Sequence, residues 1–191
     1  MKKRFLALYV CIVAVALAMV LFGCKQTPEE QTAPDDYLVA VSRIEKSLPA
    51  VKVADASLVA TDQGVTVYEY RRTVTVYAED NVMVNTTERK LGSNFAFETT
   101  TDSESLDSID RTKLLGLDLT RANVGEVSVE QNTVRMAVSK ENLAKVCGQD
   151  VAPRQDTQIV FTFEEEKLAS AAMSVWTTGG RYVTIEVSYT Y

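Results

Sequence analysis

From Val51 to the C-terminus, apolar side chains recur at every second position in one segment after another, the spacing of strands with one face buried. Residues 57–61 give a short strand that turns through Asp62-Gln63-Gly64 into a long one over 65–78. A third, 82–90, follows Glu79-Asp80-Asn81, read as a three-residue hairpin loop with Asn81 left-handed. That loop pairs Val76 with Val84, Val74 with Thr86 and Arg72 with Glu88. Residues 94–101 predict a further strand with Phe95 and Phe97 on one side, ending in a polar tip over 99–105. Residues 124–130 and 133–138 form a hairpin about Gln131-Asn132, which sets Val129 opposite Val134 and Val127 opposite Met136.

The last stretch reads as a three-stranded antiparallel meander over 158–163, 168–177 and 181–191. Two-residue turns at Glu165-Glu166 and Gly179-Gly180 place Phe163 opposite Leu168, Phe161 opposite Ser170 and Ile159 opposite Ala172. They also place Trp176 opposite Val183 and Ser174 opposite Ile185, so one broad aromatic and aliphatic face results. A helical period holds only in short pieces. Leu38, Val41, Ile44 and Leu48 mark a helix over 36–47, capped by Asp35 or Asp36 and stopped by Pro49. Leu106, Ile109 and Leu114 suggest a short helix ended by Gly116, and Ser139 caps another that runs to Cys147 before Gly148. One N-terminal helix, short intervening helices and many antiparallel strands make an α+β domain over residues 36–191.

The front of the chain is different. Met1-Lys2-Lys3-Arg4 is a positive head, Phe5 to Phe22 carries no charge, and Gly23 precedes Cys24. A positive n-region, an apolar h-region and a small residue before a cleavage point are the marks of an export signal. Leu21-Phe22-Gly23-Cys24 resembles the lipidation site of bacterial lipoproteins. That resemblance implies cleavage after residue 23 and a diacylglyceryl thioether, with palmitate-type acyl chains, on Cys24. The alternative is an uncleaved membrane helix over the same 18 residues. Either way Lys2, Lys3 and Arg4 stay inside and the domain lies on the extracytoplasmic face of the cell membrane or outer membrane. Lys25, where an aspartate retains lipoproteins in the inner membrane of some double-membrane bacteria, favours outer-membrane sorting in such a cell. Residues 24–35, with Pro28, Pro34 and three acids, read as a flexible tether.

Composition narrows the function. The formal charge is −6 for the whole chain and −9 once residues 1–23 are removed, a surface that repels nucleic acid. Histidine is absent, which removes imidazole-based triads, general bases and metal sites. With Cys24 lipidated and Cys11 in the signal, Cys147 has no disulfide partner and reads as a small buried hydrophobe. Glu164-Glu165-Glu166 is a solvated turn, and Asp102, Glu104, Asp107 and Asp110 lack the spacing and glycine of an EF-hand. Neither a catalytic site nor a cofactor is expected, and an enzyme built on acids would need two carboxylates converging in a cleft.

The order of elements over 36–191 resembles the lipoprotein-carrier class, which includes the periplasmic carrier LolA, the receptor LolB and the LppX/LprG lipoproteins. That class implies a curved, unclosed antiparallel sheet, a half-barrel, wrapped on its helix with acyl chains held on the concave apolar face. The expected function is then a lipid or other hydrophobic ligand bound by Ile159, Phe161, Trp176, Val183 and Ile185. The alternative is a cell-envelope module that binds another protein through strand edges or loops and takes no small ligand.

Overall fold

The computed structural model of the chain describes residues 35–77, 81–147 and 152–191. The signal and lipidation segment, most of the tether, and Gly148 lie outside these. Helix α1 is Asp36–Ser47. Its first turn is held by Asp35, whose Oδ1 accepts from the Tyr37 N–H at 3.1 Å, with Asp36 at the positive end of the dipole and Lys46 at the negative end. Pro49 cannot continue the ladder, and a 3₁₀ turn, Leu48–Ala50, follows. The buried stripe is Ala40, Ile44, Ser47 and Leu48, and the expected member Leu38 points outward, 64% exposed. Leu38 is six residues before Ile44, about a third of a turn away around the helix, whereas Ala40 lies one turn before it.

Nine strands form one open antiparallel sheet. In chain order they are β1 Val53–Asp62, β2 Val65–Val76, β3 Val82–Leu91, β4 Phe97–Leu106, β5 Val127–Val129, β6 Thr133–Val138, β7 Thr157–Glu164, β8 Lys167–Trp176 and β9 Tyr182–Thr190. Their spatial order is β4-β3-β2-β1-β9-β8-β7-β6-β5. Two meanders are thus joined where the first strand meets the last, with Ala54 opposite Tyr189 and Leu58 opposite Ile185. Among the described residues β4 and β5 each have a single neighbour, so the sheet does not close into a barrel. With α1, a 3₁₀ helix Arg111–Leu115 and a five-residue helix α2, Leu143–Cys147, the domain is α+β as expected.

Several pairings follow the sequence reading and three depart from it. Val129 faces Val134 and Val127 faces Met136, as the two-residue loop demands. In β2–β3 the partners are Val76 with Val82, Val74 with Val84 and Arg72 with Thr86, two residues away from the expected register. The Tyr77 N–H donates to Asn81 O at 2.8 Å, so Asn81 closes the pairing and is not a loop residue. A shift of two leaves every side chain on its own face. The other departures change the face. Phe163 meets Leu168 as expected, yet Thr162 meets Ser170, which leaves Ala169 as a bulge. At the next turn Trp176 pairs with Tyr182 and Val175 with Val183, because the loop has three residues, 178–180. Thr177 N–H donates to Arg181 O at 2.8 Å across it, and Gly180 takes the left-handed conformation at φ 80°.

The buried residues of β8 are therefore Leu168, Ala171, Met173 and Val175 in place of the expected Ser170, Ala172, Ser174 and Trp176. The tight Glu165-Glu166 turn has both residues left-handed, at φ 48° and 65°, the geometry of a two-residue hairpin loop without its usual glycine. β4 begins at Phe97 and runs to Leu106, through the stretch expected to be a polar tip, while Phe95 sits in the preceding turn at φ 60° and is 87% exposed. The helix expected from Leu106 onward is the 3₁₀ turn Arg111–Leu115, ended by Gly116 at φ 68°. The Ser139 backbone carbonyl accepts from Leu143 N–H at 3.1 Å, and the Lys140 N–H is taken by Asp156 Oδ1 at 2.9 Å.

The inner face is one continuous core that fades along the sheet. A row across all nine strands reads Val129, Val134, Phe161, Ala171, Val187, Ala56, Arg72, Thr86, Asp102. Phe161, Val134 and Ile159 are wholly buried. Beyond β1 the row turns polar, and on this side Lys90 pairs with Glu88 at 2.8 Å. Burial, reinforced by a hydrogen bond to Glu88, raises the Tyr68 phenol above its usual range.

Candidate functional site

Four of the five residues expected to line a ligand face share the inner side of the sheet. Ile159 and Phe161 are wholly buried, Val183 nearly so, and Ile185 lies half-buried between Leu58 and Met173. Trp176 is on the opposite face, 47% exposed, with its ring 5.1 Å from that of Tyr182. The Ala169 bulge places it there, since it moves the inner positions of β8 from the even-numbered Leu168 to the odd-numbered Ala171, Met173 and Val175. The sheet beneath α1 is filled. Phe161 sits between Val134 and Ala171, and the Arg43 guanidinium lies over the Phe163 ring at 4.0 Å. The same Arg43 donates to the backbone carbonyls of Glu130 and Gln131, which fixes α1 to the β5–β6 turn.

An open apolar groove of about 600 Å³ lies instead along α1, lined by Val41, Ile44, Leu48, Leu115, Leu117 and Leu119, with Val146 of α2 at its side. Each wall has a local cause. Val41, Ile44 and Leu48 lie at helical spacing on one side of α1. After the 3₁₀ turn, Gly116 in the left-handed region redirects the chain, and Leu115, Leu117 and Leu119 then alternate with Gly116, Asp118 and Thr120. The walls are tied together by directed hydrogen bonds. Tyr37 Oη donates to Leu119 O at 3.0 Å, joining α1 to this segment. Asp118 N–H donates to Val146 O at 2.8 Å, joining the segment to α2. The Asp118 carboxylate accepts from Thr120 N–H and from Asn123 Nδ2, both at 3.0 Å, which holds the turn rigid. Arg111 donates to Val51 O at 2.7 Å and anchors the other end.

Glu45, Asp118 and Lys145, two acids and one base, are the charged residues of the lining. The groove therefore favours an apolar body and leaves a polar end to water. Burial pushes the Cys147 thiol up to about 11, so it stays protonated at neutral pH. Among the described residues no three of His, Cys, Asp and Glu are grouped to hold a metal ion, and no helix is long and apolar enough to cross a membrane. Leu117, Leu119 and Val146 carry no signal of their own in the sequence beyond a cluster of leucines beside Gly116.

No protein-family model and no curated protein matches the sequence. Solved structures resemble it only distantly. A LolA superfamily protein, NE2245 from Nitrosomonas europaea, is 9% identical with a TM-score of 0.26, over 78% of this chain and 91% of that one. A redesigned beta barrel, mFAP1, bound to DFHBI, is 9% identical with a TM-score of 0.24, over 76% and 98%. The dehydratase domain from the CurK module of the curacin polyketide synthase is 6% identical with a TM-score of 0.19, over 80% and 78%. Likenesses at this level carry nothing about ligand or activity.

Proposed function

We propose that this chain is a lipid-anchored extracytoplasmic protein that binds a hydrophobic ligand, a lipid or a molecule like one, in the groove along α1. The observation that carries the reading is the size and character of that groove: about 600 Å³, with aliphatic walls fixed by Tyr37, Asp118 and Arg111. Ligand sites of this kind span roughly 300–1,000 Å³ and are apolar with a few polar groups at the edge. The ligand face belongs here and not on the sheet beneath α1, because Ile159 and Phe161 have no exposed surface left to offer. The reading assigns no catalysis, in keeping with a chain that has no histidine.

Purified protein, beginning at Lys25, is expected to carry co-purifying lipid in native mass spectra and to take up a fluorescent acyl probe. Val41→Trp should weaken probe binding at least tenfold by filling the groove from the half-buried face of α1, with thermal unfolding nearly unchanged. A clean apo mass with no probe uptake sinks the ligand reading. The anchor has its own test. Cys24→Ser should abolish acyl labelling and release the protein from membranes, whereas retention after the same fractionation would make residues 5–22 an uncleaved membrane helix.

A further inference from the structure

The two ends of the sheet are unequal. β5 has three residues, and α1 lies against it through the Arg43 bonds to Glu130 O and Gln131 O. β4 has ten, and all but Leu106 are exposed. The Gly92 N–H donates to Ala96 O at 2.8 Å, and this fixes the alternation of the β3–β4 pair. Even-numbered residues of β4 bond to β3, so residues 97, 99, 101, 103 and 105 direct their N–H and C=O groups away from the sheet. One of those amides, that of Ser103, is met by Asp102 Oδ1 at 2.9 Å. An edge this long is normally blunted by proline, a bulge or charged side chains, lysine above all. β4 has no proline, lysine or bulge, and its register with β3 is unbroken from Phe97 to Leu106. Its protection against like strands is the acidic charge of Glu98, Asp102 and Glu104.

Charge selects what can add to it. The inner face of β4 presents Glu98, Asp102 and Glu104, and the outer face Thr99, Thr101, Ser103 and Ser105. A second copy paired antiparallel about Thr101 would set Glu98 against Glu104 at both ends, and directly opposed like charges destabilise a pair. A strand with Lys or Arg at alternate positions meets the opposite sign on its inner side and small β-formers on its outer side. The formal charge of −9 over residues 24–191 steers such a partner inward. We infer that β4 is the docking edge for an extended basic segment of another protein, which adds to the sheet as a tenth strand. The inference is independent of the groove and of any ligand in it.

The test uses the full chain in mild detergent and a labelled ten-residue peptide with lysine at alternate positions and threonine between. Fluorescence anisotropy should show binding that weakens with salt, and the same peptide with glutamate for lysine should not bind. Hydrogen exchange should slow at the amides of Thr99, Thr101 and Ser105 when the lysine peptide is present. Thr101→Pro removes an outward N–H but no bond to β3, so it should cut affinity at least tenfold with an unchanged melt. Should that variant fold poorly, Asp102→Lys with Glu104→Lys should reverse the preference toward the glutamate peptide. Equal binding by wild type and Thr101→Pro would reduce the effect to loose attraction by exposed acids and overturn strand addition. Absence of peptide binding, or self-association that Thr101→Pro abolishes, overturns it as well.

Discussion

Phe161→Ala is expected to cost about 3–5 kcal/mol, the range for truncating a buried aromatic that leaves a cavity. Phe161 is wholly buried at the centre of the inner face. It sits opposite Val134 on β6 and Ala171 on β8, and neither neighbour is large enough to close the gap. A domain of this size is stable by roughly 5–15 kcal/mol, so the loss takes a large share of the total. Urea denaturation should show a lower midpoint with an unchanged slope. The result also decides the role of the inner face. A loss below about 1 kcal/mol together with impaired uptake of the acyl probe would make Phe161 a wall of an open ligand site, against its placement here.

Ser47→Ala should cost about 1–3 kcal/mol by leaving a buried donor without an acceptor. The Ser47 Oγ accepts from Leu168 N–H at 3.1 Å, and both residues are buried. The need arises in the strand. Glu164 and Lys167 close the tight Glu165-Glu166 turn, so the next pair, Phe163 with Leu168, is a non-bonded one and Leu168 points its N–H away from β7. On that side the pairing of β8 with β9 begins only at Ser170 with Ser188, beyond the Ala169 bulge. Two side chains fill the gap: Ser47 takes the N–H, and Tyr191 Oη donates to Leu168 O at 2.9 Å. A helix residue and the C-terminal tyrosine thus serve as the missing strand. Hydrogen exchange at Leu168 should accelerate in Ser47→Ala, and the midpoint in urea should fall. An unchanged exchange rate would show that Leu168 finds another acceptor.

What was legible in the chain follows from how local each cause is. α1 is marked by Asp35 and stopped by Pro49, both within one turn of its ends, and its bounds match the expected ones. The β5–β6 register follows from a two-residue loop and matched valines. The inner face of β8 was not legible from turn lengths, because a bulge at Ala169 and an extra loop residue at the next turn each change the register by one. The apolar spacing held the signal: Leu168, Ala171, Met173 and Val175 stand three, two and two apart, which is period two interrupted once. β4 lacks alternation because an edge strand with both faces in water needs none, and only its run of threonines favours a strand. The groove was hidden because its walls come from α1, the 115–119 segment and α2, which meet only in the folded chain. Of the residues expected to line a site, Ile159, Phe161, Val183 and Ile185 fall together on the inner face. Periodicity carries the side of the sheet on which a residue lies but not its depth, and Ile159 and Phe161 are wholly buried.

The chain has one tryptophan, and the bulge at Ala169 turns it to the outside of the sheet. Half-exposed against Tyr182, and absent from the lining of the groove along α1, Trp176 is an intrinsic optical probe of the β8–β9 hairpin. Its emission in the native protein should already be that of an indole partly in water. It will report the loss of that hairpin on unfolding and stay silent when the groove fills, so the two events are separable in a single cuvette.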